Sequence, residues 1–349
     1  MKSFKIAMLG ASNSGKTVFM TAMYNLLNKG RKGFSLTASN PKSREFDKDT
    51  HNYLIDNWKK ITQDKTWVMP NLGIDQYSFS FEKGDNTLVY FDFIDYRGSS
   101  LAGSENSDDQ EVYRVLEKHL MDSQIVMCCI PGDYWNEVNE NGFSTINAEL
   151  ENIRFFLRAL KKRKNDLKRG LPPVIILTTK FDNCKSLDKS TLKELIKEEF
   201  NTLFYDDSNW LISTMGVTLG ENLTDFNEDL TKAKISPKGM IQPFVFAIYF
   251  IFSQIQKIHE KEKSSHEKSA IELGGGWFGF FDWLNSRSID SHNSQVRKHQ
   301  EDINLLRENA SLIKSTFQLE DATIYHRGNE LDFTQFENLL TRSDMNSIW

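Results

Sequence analysis

The 349-residue chain has little cysteine, no charge excess of one sign and no uninterrupted membrane-length apolar run. Its three cysteines are Cys128, Cys129 and Cys184. Two of them are adjacent inside an apolar stretch and none has ligand spacing. That excludes a disulfide-stapled scaffold and points to a reducing, cytoplasmic setting. Lys and Arg total 43 against 48 Asp and Glu, for a net charge of −5. Strong non-specific binding to nucleic acid is therefore not expected. The longest apolar-rich run, 239–255, is broken by Gln242, Pro243, Ser253 and Gln254. A span needs about 20 apolar residues, so this segment is expected to be a buried helix. Residues 1–9 are too short an apolar stretch for a secretory signal. Seven histidines show no metal spacing. What is present is an ordinary globular balance, 39% hydrophobic and 26% charged, which excludes disordered and collagen-like classes.

Short apolar runs alternate with helical patterns. Residues 4–9 read as a strand, and 16–27 as a helix. A second strand is expected at 34–38 and a helix within 43–61. Residues 77–81 and 88–94 form a strand pair around Gly84-Asp85-Asn86, which has hairpin chemistry. Helices are expected at 111–120, 147–164, 190–203 and 237–257. Buried strands are expected at 124–130, 173–177 and 210–217. The fold class is therefore α/β, a doubly wound and mainly parallel sheet with one antiparallel strand. The main domain is expected to cover 1–258. Residues 259–349 form an extension with an aromatic cluster from Trp277 to Trp283, a long helix over 294–317 and a small hairpin around Arg327-Gly328-Asn329. The aromatic cluster fits a lid on the core or a docking surface equally well.

The strongest local signal is Gly10-Ala11-Ser12-Asn13-Ser14-Gly15-Lys16-Thr17. It has the pattern Gly-x-x-x-x-Gly-Lys-Thr/Ser, between a strand and a helix. Glycines let backbone N–H groups curl around phosphates, and the helix directs its positive dipole end at the same anion. Lys16 is placed to reach the β- and γ-phosphates, and Thr17 to offer its hydroxyl to Mg²⁺. Gly10, Ser12, Asn13, Ser14, Gly15, Lys16 and Thr17 are thus the candidate phosphate contacts.

Two further elements follow strands. Asp95-Tyr96-Arg97-Gly98 ends the 88–94 strand. There, Asp95 can hold Mg²⁺ opposite Thr17, and the Gly98 N–H can meet a γ-phosphate. Thr179-Lys180-Phe181-Asp182 follows the 173–177 strand. The Asp182 carboxylate can accept from guanine N1–H and its exocyclic amine, a donor pair that adenine lacks. The Lys180 stem can lie over the base plane.

In this order, the three elements resemble the G1, G3 and G4 motifs of P-loop GTPases of the small Ras/Rab-like, TRAFAC type, over about residues 4–258. The sequence is also similar to bacterial double-GTPase-like and GTPase-associated domains. The resemblance implies GTP as substrate, Mg²⁺ as cofactor, and a nucleotide-dependent switch acting on a protein effector or activator. It also implies a base contact at Ser213-Thr214-Met215, and a switch threonine on Mg²⁺, with Thr66 favoured over Thr62. There are three departures. Thr179 stands where Asn is usual. The interval from Thr17 to Asp95 is long, placing an insertion over about 30–70. Ser99 follows Gly98 where the family carries a water-orienting Gln. Hydrolysis is then slow, uses another residue or needs a partner. Arg97 fits an internal cation on the phosphates or a surface ion pair. The basic cluster Lys161-Lys162-Arg163-Lys164 reads as a helix C-terminal cap. A P-loop ATPase and a non-hydrolysing nucleotide-binding scaffold remain the rival readings.

Overall fold

The computed structural model describes residues 3–68, 74–96, 107–142, 144, 146–166, 171–184, 187–205, 208–223, 230–266, 292–319 and 322–341. In chain order the elements are β1 (Phe4–Gly10), α1 (Lys16–Asn28), β2 (Phe34–Ala38) and α2 (Lys48–Lys59), which runs into a π turn over Lys60–Asp64. They continue as β3 (Ile74–Lys83), β4 (Asn86–Tyr96), α3 (Ser107–Asp122), β5 (Ile125–Pro131), α4 (Gly132–Asn141) and α5 (Asn147–Asp166). Next come β6 (Val174–Thr179), a 3₁₀ turn at Phe181–Cys184, α6 (Lys189–Glu199), α7 (Asn201–Phe204) and β7 (Leu211–Gly216). The chain then forms β8 (Thr218–Glu221), β9 (Lys234–Lys238), α8 (Gln242–His266), α9 (His292–Phe317), β10 (Thr323–His326), β11 (Asn329–Leu331) and α10 (Phe333–Thr341).

Nine strands form one sheet in the order β11-β10-β7-β6-β5-β1-β4-β3-β2. The run β4-β1-β5-β6-β7 is parallel, while β3 is antiparallel to β4. Helices cover both faces, giving the mixed, mainly parallel, doubly wound arrangement of P-loop NTPases. The expected hairpin forms at Gly84, whose φ of 58° suits glycine. The structure adds a second reversed strand, because β10 pairs antiparallel with β7. The small C-terminal hairpin thereby extends the main sheet. The long insertion is structured: β2 pairs with β3, and α2 is capped by Asp47, which accepts from the Asp49 and Thr50 N–H groups.

Period-2 alternation along each central strand feeds two apolar layers. On β5, Cys129 points into one layer and Cys128 into the other. The first layer is rich in phenylalanine. Phe91 and Phe93 from β4 meet Phe244 of α8, with the Phe91 and Phe244 rings edge-on at 5.0 Å. Phe246 of α8 stacks on Phe336 of α10 at 5.3 Å, so the C-terminal segment shares this layer. Burying one such ring contributes about 2 kcal/mol. The second layer packs α5, through Leu150, Ile153 and Leu157, against β1 and β5. His119 of α3 is buried there with Nε2 3.2 Å from the Ile6 carbonyl, and burial lowers its pKa to about 4. Among the described residues no helix is long and apolar enough to cross a membrane.

Candidate functional site

The C-terminal ends of β1, β5 and β6 meet at residues 10–17. Gly10 is forced by crowding. A Cβ there would lie 2.5 Å from Ser14 Oγ and 2.9 Å from the Cys129 carbonyl. Asn13 and Gly15 take left-handed backbone, with φ of 57° and 81°. Gly15 is the N-cap of α1, so no side chain competes for the first-turn N–H groups. Lys16 is buried, and its Nζ donates to the Gly10 and Ala11 carbonyls at 2.8 and 2.9 Å. Its ammonium is thereby folded over the loop at the N-terminal end of α1.

Thr179 joins β6 to this loop. Its hydroxyl, 3% exposed as a residue, lies 2.6 Å from the Ser14 carbonyl and 3.3 Å from the Ile130 carbonyl. The Thr179 hydroxyl thereby ties the end of β6 to the loop and to the end of β5. Lys180 takes a left-handed φ of 47° and turns its ammonium to Asp133 at 3.5 Å. That turn is pressed against α4: a Cβ on Gly132 would sit 2.4 Å from the Lys180 carbonyl. Burial raises the neighbouring Cys184 thiol to about 12, so it stays protonated.

Asp182 follows, with Oδ1 accepting from Thr218 Oγ1 at 2.7 Å. The backbone on either side is laced to the end of β7, since Val217 N–H donates to the Thr178 carbonyl and Phe181 N–H to the Val217 carbonyl. The Phe181 ring lies on Gly216, where a Cβ would come within 2.5 Å of it.

Ser213 is not at this place. It sits within β7, opposite Ile175 and Ile324, and its hydroxyl points to the Thr323 carbonyl at 3.3 Å. The strand runs on to Gly216, so the residue facing Asp182 is Thr218. The pairing of β7 with β6 carries the strand to Gly216, and β10 pairs with 211–214 on its other side. Thr66 is exposed, and its N–H donates to the Lys60 carbonyl at 2.9 Å. The Lys65 carbonyl beside it accepts from Leu230 N–H at 2.7 Å, tying this segment to 230–233. Thr62 Oγ1 donates to the Trp58 carbonyl within the helix. Among the described residues no hydrogen bond links Thr62 or Thr66 to residues 10–17. Asp95 lies at the end of β4, directly beyond the register in which Ala7 of β1 pairs with Ile94. Arg97, Gly98, Ser99 and the Trp277–Trp283 cluster lie outside the described residues.

Sequence reading also missed Glu149. From the first turn of α5 its Oε2 accepts from the Ser12 N–H at 2.5 Å. No spacing rule connects positions 137 residues apart. A cavity of about 280 Å³ opens beside Phe181, Thr214, Gly216, Gln242 and Leu319, and takes no residue of the 10–17 loop.

No protein-family model matches the chain, and no relative is found among curated proteins. Among solved structures, the chain is similar to the signal recognition particle receptor SRb-GTP/SRX complex from Chaetomium thermophilum, at 17% identity and a TM-score of 0.37, over 64% of this chain and 93% of that one. It is also similar to the GTP-bound Ski7 GTPase-like domain of S. cerevisiae, at 19% identity and a TM-score of 0.34, over 65% of this chain and 45% of that one.

Proposed function

We propose that this chain binds GTP with Mg²⁺ and hydrolyses it to GDP and phosphate, acting as a Ras-like, TRAFAC-type switch for a protein effector or activator in the cytoplasm. The observation that carries the reading is the Lys16 ammonium folded onto the Gly10 and Ala11 carbonyls at the N-terminus of α1. Asp182 supports the choice of base, since it is carried on the same strand end as Thr179, which closes the loop.

In this reading the N–H groups of 13–17 and Lys16 hold the phosphates and neutralise charge that develops as water attacks the γ-phosphate. Thr17 and Asp95 hold Mg²⁺, which supplies further charge neutralisation there. Gly98 meets the γ-phosphate, and Thr66 is the switch threonine carried over from the resemblance. The Asp182 carboxylate takes the two guanine donors, and the Lys180 stem covers the base. Thr218 replaces Ser213 as the residue that orients this end. The G domain covers 1–258, with 259–349 as its partner-facing extension.

Titration calorimetry with GTP, ATP and Mg²⁺ on the wild type and Asp182→Ala tests it. Tight GTP binding that Asp182→Ala weakens, with ATP binding little changed, is the expected result. Equal affinity for ATP and GTP in both forms would instead point to an ATPase or another NTPase. Ser99, in place of the usual glutamine, favours a second reading: a scaffold that binds GTP with little hydrolysis. A single-turnover assay with excess protein separates the two, because the scaffold releases no phosphate.

A further inference from the structure

We propose that Glu149 is the residue that orients the attacking water, in place of the glutamine absent at Ser99. The inference rests on the GTPase reading above. Its basis is the bond from Ser12 N–H to Glu149 Oε2. The ammonium of Lys16, the group that reaches the β/γ end of a bound triphosphate, is held by the Gly10 and Ala11 carbonyls. Ser12 is the next residue, so the Glu149 carboxylate lies beside the stretch of loop whose carbonyls hold that ammonium. Oε1 has no hydrogen-bond partner among the described residues, which leaves one oxygen to accept from a water.

The carboxylate is also held by a rigid support. Its neighbours Leu150 and Ile153 are fully buried in the layer that packs α5 on β1 and β5. The helix fixes the backbone of Glu149 in its first turn, where its N–H donates to the Ile146 carbonyl at 3.1 Å. A group mounted on a packed helix keeps its aim better than one on a loop. The sequence after Gly98 offers serine, whose single short hydroxyl reaches less far than a glutamine amide.

The chemistry balances without a further reagent. The water oxygen forms a bond to the γ-phosphorus, and the bond from that phosphorus to the β–γ bridging oxygen breaks. The electron pair of that bond stays on GDP. The water proton passes to the Glu149 carboxylate and from there to the released phosphate.

The test uses the full chain with Mg²⁺ and compares wild type with Glu149→Gln and Glu149→Ala. Three quantities are measured: GTP affinity, the single-turnover rate, and capture of GDP with aluminium fluoride, which mimics the transferring phosphoryl group. Glu149→Ala is expected to keep GTP affinity within about threefold, to hydrolyse about a hundredfold more slowly, and to lose capture of GDP–aluminium fluoride while still binding GDP, whereas Glu149→Gln, whose amide can accept from the water but cannot take its proton, should fall between Glu149→Ala and wild type. Hydrolysis at the wild-type rate in Glu149→Ala would overturn the proposal. Tighter GTP binding at an unchanged rate would also overturn it and make Glu149 an internal anion that competes for the loop. If the wild type binds GTP but never hydrolyses it, this inference fails while GTP binding stands. If the wild type binds no nucleotide, the GTPase reading itself fails.

Discussion

The two ends of the proposed site are held together in different ways. The phosphate end is closed locally: Lys16 bonds Gly10 and Ala11, and Gly10 fits because Ser14 is close beside it. The base end is assembled from distant segments. Gly132 of α4, Lys180 and Asp182 after β6, and Thr218 after β7 meet only once the sheet has formed. Thr179 links the two through the Ser14 carbonyl. A contiguous loop can keep its shape when a neighbour shifts, whereas the base end inherits every displacement of three strands. Damage should therefore be asymmetric, and substitutions can show whether it is.

Lys16→Ala should have the largest effect. It removes the only charged donor shown inside the loop and should weaken GTP and ATP alike by at least about a hundredfold, about 3 kcal/mol. Calorimetry against both nucleotides checks this, with circular dichroism to confirm the fold. An effect on GTP alone would break the comparison, because the phosphate end would then be reading the base.

Gly132→Ala comes next. The added methyl meets the Lys180 carbonyl at 2.4 Å and Cys184 Sγ at 3.0 Å, and a backbone carbonyl cannot rotate away as a side chain can. Urea unfolding should show a loss of about 2 kcal/mol. Preference for GTP over ATP should fall, while binding of inorganic tripolyphosphate should stay near that of wild type. A parallel loss of tripolyphosphate binding would mean that the ends are coupled more tightly than the Thr179 link implies.

Asp182→Ala acts on one contact and leaves the backbone in place. It removes acceptors for two guanine donors and should cost about 1.5 kcal/mol of GTP affinity, roughly tenfold, with ATP binding little changed. Competition of each nucleotide against a fluorescent GTP analogue measures the ratio directly. A ratio that does not move would place base selection elsewhere.

The same contrast decides what could be read from the chain in advance. The 10–17 loop was legible because its requirements are local: glycine where a Cβ would strike Ser14, left-handed backbone at Gly15, and a lysine at the start of a helix. The β3–β4 hairpin was legible for the same reason, since Gly84 supplies the turn. The central strands were legible as apolar runs, because strands buried on both faces leave that mark. Thr218 was not legible, since its contact with Asp182 depends on the β6–β7 pairing that brings the ends of the two strands together, and no local spacing marks that. The β8–β9 ribbon was missed because it is short and polar, with Pro237 inside β9, a residue that argues against a strand. Glu149 looks like an ordinary first-turn acid of a helix, and only the packing of α5 on β1 and β5 brings it to Ser12.

Thr218→Val tests the most remote of these contributions and should have the smallest effect. Valine keeps the volume and the β-branch of threonine, so β8 can form as before. What is lost is the hydroxyl that donates to Asp182 Oδ1 at 2.7 Å and accepts from the Gly220 N–H at 3.2 Å. Asp182 keeps its charge but loses one constraint on its rotamer. A neutral donor to a partly buried carboxylate is worth about 1 kcal/mol, so GTP affinity should fall about three- to fivefold, with ATP affinity unchanged. In a double-mutant cycle with Asp182→Ala, the Thr218→Val effect should vanish once the carboxylate is gone. If it persists at full size, the hydroxyl supports the β8 turn through Gly220 rather than the base end through Asp182. The base end would then be held by one strand crossing fewer than the geometry indicates.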